Sequence, residues 1–474
     1  MSLAAEALRM ADDPPKFFDY SNRRAHQVPR EYAEEMQLAV LQQRFAQLRD
    51  RVAVLKAAAD EQGIGHLDNL DEGANLVFPD SVYKSYPVSL LEKNRFDQMT
   101  KWLGRLTSTD VSKADVRGCT GIDSWLEALE AATDMQVVNS SGTSGAMTFL
   151  PRTRKDYRIV SDIFGMTSRD FNGIESLPDL RREPWHSFYL GFRGGRSHAG
   201  RAASWVVDNF AGSKDFLHTL YDMDMSSDVM FTAARLRRAQ ARGELDRLEI
   251  SPTLKARQGE FEAIQQSTAQ AMHRIFDRLI TLKGQKVYIA GMTASLTELS
   301  RRGLERGYRQ MFGPSSIVQC GGGSKGGNLP ENWEELVLEF TGARRIGQYY
   351  GMTEVTMITA KCSENHYHVP PWIVPYALDP ATGRSLPRTG TQTGRATFFD
   401  LVPQTYWGGV ATGDEVTVDW RPCACGRTTV HIHPAIRRFS EKTGADDKIT
   451  CAAAEDAHAA AIDFLAATRS GART

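Results

Sequence analysis

Four short segments carry residue types and spacings that could hold a nucleotide. The first is Ser140-Ser141-Gly142-Thr143-Ser144-Gly145, directly after the apolar run MQVVN. Small residues leave backbone N–H groups accessible and the hydroxyls add donors, so such a loop can wrap a polyphosphate. No Lys follows its glycines, which separates it from the loop of P-loop NTPases. The second segment, Cys320-Gly321-Gly322-Gly323-Ser324-Lys325-Gly326-Gly327, satisfies Gly-x-Gly-x-x-Gly after another apolar run and so raises a dinucleotide fold. Asn328-Leu329-Pro330 then interrupts the chain where a phosphate-facing helix should open, and a glycine backbone stacked on a flat base is the better reading. The third is Tyr349-Tyr350-Gly351-Met352-Thr353-Glu354, where a hydroxyl beside a carboxylate suits one phosphate oxygen and one Mg²⁺. In the fourth, Ala411-Thr412-Gly413-Asp414, an Asp in a tight turn can accept hydrogen bonds from both ribose hydroxyls.

A second kind of chemistry is metal binding. Cys423-x-Cys425 runs into Gly426 and Arg427, a tight turn able to present two thiolates to one ion. Upstream, Cys362-Ser-Glu-Asn-His366-Tyr-His368 offers a third sulfur and two imidazoles. Three Cys and one His make a closed, structural zinc set. The halves stand 61 residues apart, and reduced structural cysteines are the competing reading.

The elements that must position these residues divide the chain of 474. Residues 1–135 read as helical: apolar residues recur at helical spacing between Pro29 and Glu61, again through SLLEKNRFDQMTKWLGRL, and in IDSWLEALEAAT, where Asp123 suits a cap. From 136 to 393, the runs SFYLGF, KVYIAG, SSIVQC and RRIGQYY alternate with helical stretches such as 228–248 and 259–282, which predicts an α/β core on a largely parallel sheet. A β-rich part spans 394–447, and a short tail covers 448–474. The arginines at 235, 237, 238 and 242 read as a solvated helix face.

Composition bounds the partners. Lys+Arg number 57 against 58 Asp+Glu, a net charge of −1, which removes the long-range argument for nucleic acid or an acidic membrane. No apolar run approaches the ~20 residues of a membrane span. The first twenty residues lack the apolar core of a signal peptide. Six cysteines form no disulfide framework, so a reducing cytoplasm is the expected compartment.

Taken together and in order, Ser-Ser-Gly-Thr-Ser-Gly, Tyr-Gly-Met-Thr-Glu and Thr-Gly-Asp resemble the adenylate-forming superfamily of acyl-CoA synthetases and adenylation domains. The Gly-Gly-Gly-Ser-Lys-Gly and Cys-x-Cys-Gly-Arg-Thr stretches are similar to its phenylacetate-CoA ligase and acyl-protein synthetase branch. The resemblance implies the large N-terminal domain of that fold. It also implies an ATP-binding, AMP-forming ligase that makes an acyl-adenylate from a carboxylic acid and then acylates a thiol on CoA, a carrier or reductase protein, or itself. On that resemblance Ser140 through Gly145 hold the ATP phosphates, Gly321, Gly322 and Gly323 line the adenine beside Tyr350 and Gly351, and Asp414 holds the ribose. Thr353 takes the α-phosphate and Glu354 the Mg²⁺. His186 and Phe188, in the aromatic stretch 184–196, line the acid pocket. Zinc falls to Cys362, Cys423, Cys425 and His368 rather than His366. Cys451 becomes a candidate for self-acylation, against a bland buried cysteine. Asp446-Asp447-Lys448 resembles the hinge before the mobile lid, but Gly444 replaces the usual Arg and 27 residues follow Asp447, so the lid with its catalytic Lys is expected to be missing or vestigial. Lys325 or Lys448 would then substitute. Two other classes stand beside this one: an NAD(P)-dependent oxidoreductase resting on the glycines from 321 to 326, and a non-catalytic subunit of an acyl-transfer complex. The identity of the acid is not legible, because pocket shape discriminates little per methylene.

Overall fold

The structure, a computed structural model, describes residues 2–140, 146–174, 179–245, 248–321, 329–439 and 455–467, the side chains of 267–269 and 455–459 excepted. Each apolar run of the middle segment becomes a strand of one six-stranded sheet. Its order is Leu217–Met225, His186–Gly195, Val287–Met292, Ile317–Gly321, Ile346–Gly351 and Ile358–Ala360. The first five are parallel and the last returns antiparallel. Parallel neighbours need crossovers, and the helices His198–Val206, Gln258–Ile280, Thr293–Glu305 and Trp333–Thr341 supply them. The edge strand Leu217–Met225 escapes sequence reading because His218, Asp222 and Asp224 interrupt its apolar pattern, as an exposed edge permits. Where two crossover helices meet, Gly303 lets the Phe340 ring sit where a methyl group would lie only 2.1 Å from it.

The β-rich part starts earlier than residue 394. Ile373–Leu378 pairs antiparallel with Thr391–Asp400, which pairs with Gly409–Asp419, then His431–Ile432 and Tyr367–His368. The helical lead-in does not stand apart from it. Gln37 of helix Arg30–Leu48 donates to the carbonyls of Pro371 and Ile373, and the Trp407 indole donates to Leu76. Phe78–Pro79 even joins the sheet, parallel to Val410 and Ala411. One apolar core therefore spans the first helices and the second sheet. Burying both faces this way is what a sheet with an apolar side requires.

Asp123 does not cap its own helix. Helix Ile122–Ala132 has Gly121 at its N-cap, and the free amides of Ile122 and Asp123 donate to the Asp228 carboxylate, at 2.7 and 3.1 Å. Reciprocally, Asp123 accepts from the amide of Ser227 and the hydroxyl of Ser226, where helix Ser227–Arg242 begins. Each helix end leaves unpaired N–H groups. Here each finds its acceptor on the other helix.

Among the described residues no helix is long and apolar enough to cross a membrane.

Candidate nucleotide site and metal centre

Gly321 closes its strand opposite Met292, and Gly351 closes the next-but-one element of the same parallel set. Both thus sit at the carboxyl edge of the sheet, where open α/β sheets bind ligands. The hairpin Val138–Ser140/Thr148–Leu150 reaches the same edge, because Asn139 bridges to Ser197 just beyond the end of His186–Gly195. Ser140 is its last described residue before 141–145. After Gly351 the chain turns through Thr353 and Glu354 and doubles back, so that Gly351 pairs with Ile358. A side chain at Gly351 would meet the Met357 carbonyl at 2.7 Å, which makes glycine a requirement of the turn. Across from it, the Tyr350 hydroxyl donates to Asp414 at 3.2 Å, and the Asp414 amide donates to Thr412 Oγ1. The third and fourth sequence motifs therefore meet in space.

The turn that carries Thr353 and Glu354 is fastened from below by residues no motif marked. Asp400, fully buried, accepts from the Thr356 amide at 2.7 Å, the Thr356 hydroxyl at 2.8 Å and the Val402 amide at 3.1 Å. The Trp372 indole holds the Thr356 carbonyl. Burial pushes the Asp400 carboxyl up to about 6, with Arg152 opposing. Burial likewise raises Glu354, Asp80 adding to the rise while Arg152 and Lys84 work against it. Arg152 is wholly buried just after the hairpin, and among the described residues none of its three guanidinium nitrogens has a hydrogen-bond partner. The only sequence signal for this layer was an Arg next to a Pro at the end of the apolar run, which is too common to single out.

His186 and Phe188 do not reach the carboxyl edge. His186 opens its strand opposite Val287, while the row of Gly321 and Met292 lies five residues further on, roughly 16 Å at strand rise. His186 instead faces His218, with Nδ1 to Nε2 at 3.0 Å, and Phe188 is buried against the same ring. The aromatic density of this stretch is core packing. Ser141, Gly142, Thr143, Ser144, Gly145, Gly322, Gly323, Lys325, Cys451 and the hinge-like 446–448 lie outside the described residues. The next described helix after Gly321 opens at Trp333, not directly on the glycines as a dinucleotide phosphate site requires.

The cysteine and histidine halves do come together. Cys362, His368, Cys423 and Cys425 place one ligand atom each within 4.8 Å of the others. Two turns build the set. Asn365, with φ +63°, lets the Asn365 amide reach the Cys362 carbonyl, and Gly426, with φ +84°, does the same for Cys423. His368 is buried opposite His431 in register, and its Nε2 lies 3.3 Å from the Cys425 sulfur. Its Nδ1 faces the Thr429 carbonyl at 3.1 Å, the kind of outer contact that holds an imidazole in one orientation. His366 belongs to a different group, with His431 and His433.

No protein-family model and no curated protein matches the chain. Solved structures do. A 2-hydroxyisobutyryl-CoA ligase in the postadenylation state, in complex with R3-HIB-AMP, superposes with TM-score 0.50 at 13% identity over 88% of this chain and 70% of that one. ATP-bound MatB from Rhodopseudomonas palustris superposes with TM-score 0.35 at 16% identity, over 66% and 53%. The chain shares its fold with the 2-hydroxyisobutyryl-CoA ligase.

Proposed function

We propose that the protein is an AMP-forming acyl-activating enzyme: a carboxylic acid attacks the α-phosphate of ATP, releasing pyrophosphate, and the acyl-adenylate then passes its acyl group to a thiol. The observation that carries this reading is the meeting of the Tyr350 hydroxyl with Asp414 beside the Thr353–Glu354 turn, at the carboxyl edge of the parallel sheet. Attack of a carboxylate on a phosphate joins two anions, so rate must come from positioning and from groups that spread developing charge. In this reading Asp414 accepts from the ribose hydroxyls, Gly321 and Tyr350 border the base, and Thr353 donates to the α-phosphate. Glu354 would hold Mg²⁺, which supplies charge neutralisation when bound. A carboxylate whose burial raises its affinity for a proton is also one that gains by facing a cation. The acceptor thiol belongs to CoA, to a carrier or reductase protein, or to Cys451.

The set of Cys362, His368, Cys423 and Cys425 fits a structural Zn²⁺: soft sulfur donors, one imidazole with its outer contact, and no open position.

The direct test is carboxylate-dependent exchange of pyrophosphate into ATP across a broad panel of acids. Glu354→Gln should retain ATP binding in the absence of metal and lose exchange by at least about 100-fold, as expected for removal of one transition-state charge contact. A chain that binds ATP with no acid supporting exchange, and that turns over with neither CoA nor candidate partner proteins, is a non-catalytic subunit. Fluorescence quenching by NADH and not by ATP would favour the oxidoreductase. Elemental analysis of tag-free protein should find at least one zinc per chain; a value well below one rejects the thiolate site.

A further inference from the structure

Beside the thiolate set lies a group of imidazoles that acyl activation does not use. Tyr367–His368 pairs antiparallel with His431–Ile432, with His368 opposite His431. Side chains alternate along strands, so His366 and His368 share one face with His431 and His433, and four of the chain's eleven histidines crowd a single patch of ladder. His368 turns to the cysteines. The other three stay together: the His366 ring centroid is 4.6 Å from that of His431 and 4.8 Å from that of His433, and one nitrogen from each lies within 4.8 Å of the others.

An independent observation concerns the His431 ring. His431 is 4% exposed, and among the described residues its Nδ1 has no hydrogen-bond partner. Leaving a buried polar nitrogen unpaired costs about 1–3 kcal/mol, and three apposed rings that do not satisfy one another are a poor way to incur it. A bound cation resolves this by taking a lone pair from each ring. His366 and His433 are partly exposed, which gives such a cation an entry path and leaves one side of it open. Asp419, opposite His431 in register, brings a carboxylate to 3.9 Å from His433 Nε2, a carboxylate that Arg421 shares at 2.6 Å.

We propose that His366, His431 and His433 bind a second metal ion, a divalent first-row transition cation such as Zn²⁺ or Co²⁺, with a fourth coordination position open to water. Three neutral nitrogen donors without a thiolate suit this class and hold it less tightly than the neighbouring sulfur-rich set. The two sites adjoin, since His366 Nδ1 lies 3.5 Å from Cys423 Sγ, yet their donor chemistry differs enough to be read separately. The proposal is independent of the acyl-activation reading.

The experiment is a Co²⁺ titration of the tag-free full chain, stripped of metal under reducing conditions, with total metal counted by elemental analysis after equilibrium dialysis. The expected result is two equivalents per chain, of which only the tighter develops a thiolate-to-cobalt charge-transfer band. The His366→Gln/His433→Gln double variant, altered at the two partly exposed positions, should lose the second equivalent and keep the first with its band. One equivalent or fewer in the native chain overturns the proposal. So does a second equivalent that survives in the double variant, or one that itself develops the charge-transfer band. If stripping prevents refolding, the protein as isolated is dialysed first against excess Zn²⁺ and then against zinc-free buffer, and the same count is compared between native chain and variant.

Discussion

At the scale of single residues, the turn bearing Thr353 and Glu354 owes its shape to Asp400, a carboxylate that no ligand would touch. Three donors converge on it, yet burial still raises it to about 6, against an ordinary value of 3.8. The folded chain therefore holds the Asp400 proton across a pH interval in which the unfolded chain has released it. Its contribution to stability is fully present below about pH 4 and falls by about 3 kcal/mol as pH rises past 6, at 1.36 kcal/mol per unit. Asp400→Asn removes this titration. The stability of the native chain relative to the variant, from denaturant midpoints, should fall by about that amount between pH 4 and pH 7. A difference that stays flat would mean Asp400 is already ionised throughout. Arg152 sits close enough to oppose the shift, so Arg152→Met should raise the Asp400 titration further.

At the scale of elements, the exchange of caps between helices Ile122–Ala132 and Ser227–Arg242 ties the helical lead-in to the α/β sheet. Loss of a capping carboxylate costs about 0.5–2 kcal/mol. Asp123→Ala and Asp228→Ala should each lower the denaturant midpoint by that order without changing the slope. The two carboxylates also repel: burial, with Asp123 adding to it, lifts Asp228 to about 6. Each single variant relieves that repulsion and the double relieves it only once, so the double variant should cost more than the sum of the singles, and a strictly additive cycle would show that the caps act apart.

At the scale of the whole molecule, the stretch expected as a bare tail contributes to packing. Helix Glu455–Ala467 buries Ala461, Ile462 and Leu465 against Val229, Ala233 and Phe261, and Gln258 donates to the Ala466 carbonyl at 2.9 Å. Phe261 lies on the crossover helix Gln258–Ile280, so this last described helix braces the α/β body from outside. Leu465→Ala removes a buried side chain at a cost of about 2–5 kcal/mol. Hydrogen exchange should report that cost as lost amide protection in 455–467 and in the facing turns of 258–280. Protection in Val287–Met292, at the sheet centre, should be unchanged.

Local pattern was enough to place the strands of the middle segment. Apolar runs ending in Gly321 and Gly351 marked which strands would close on glycine at the carboxyl edge of the sheet, because strand periodicity and glycine punctuation are encoded within a few residues. Three cysteines and two histidines stood out as donors for a similar reason, donor type restricting what a residue can do, while the choice of His368 over His366 came from the family resemblance. Only the tertiary structure decided which distant residues meet. It brought Tyr350 to Asp414 across 64 residues and Asp228 to a helix end 106 residues away. It put His186 at the opposite end of its strand from the carboxyl edge, and it sorted His366 from His368 into different donor groups. Such pairings depend on strand register and crossover packing. Those are set by burial summed over the whole core, and no window of sequence contains that sum.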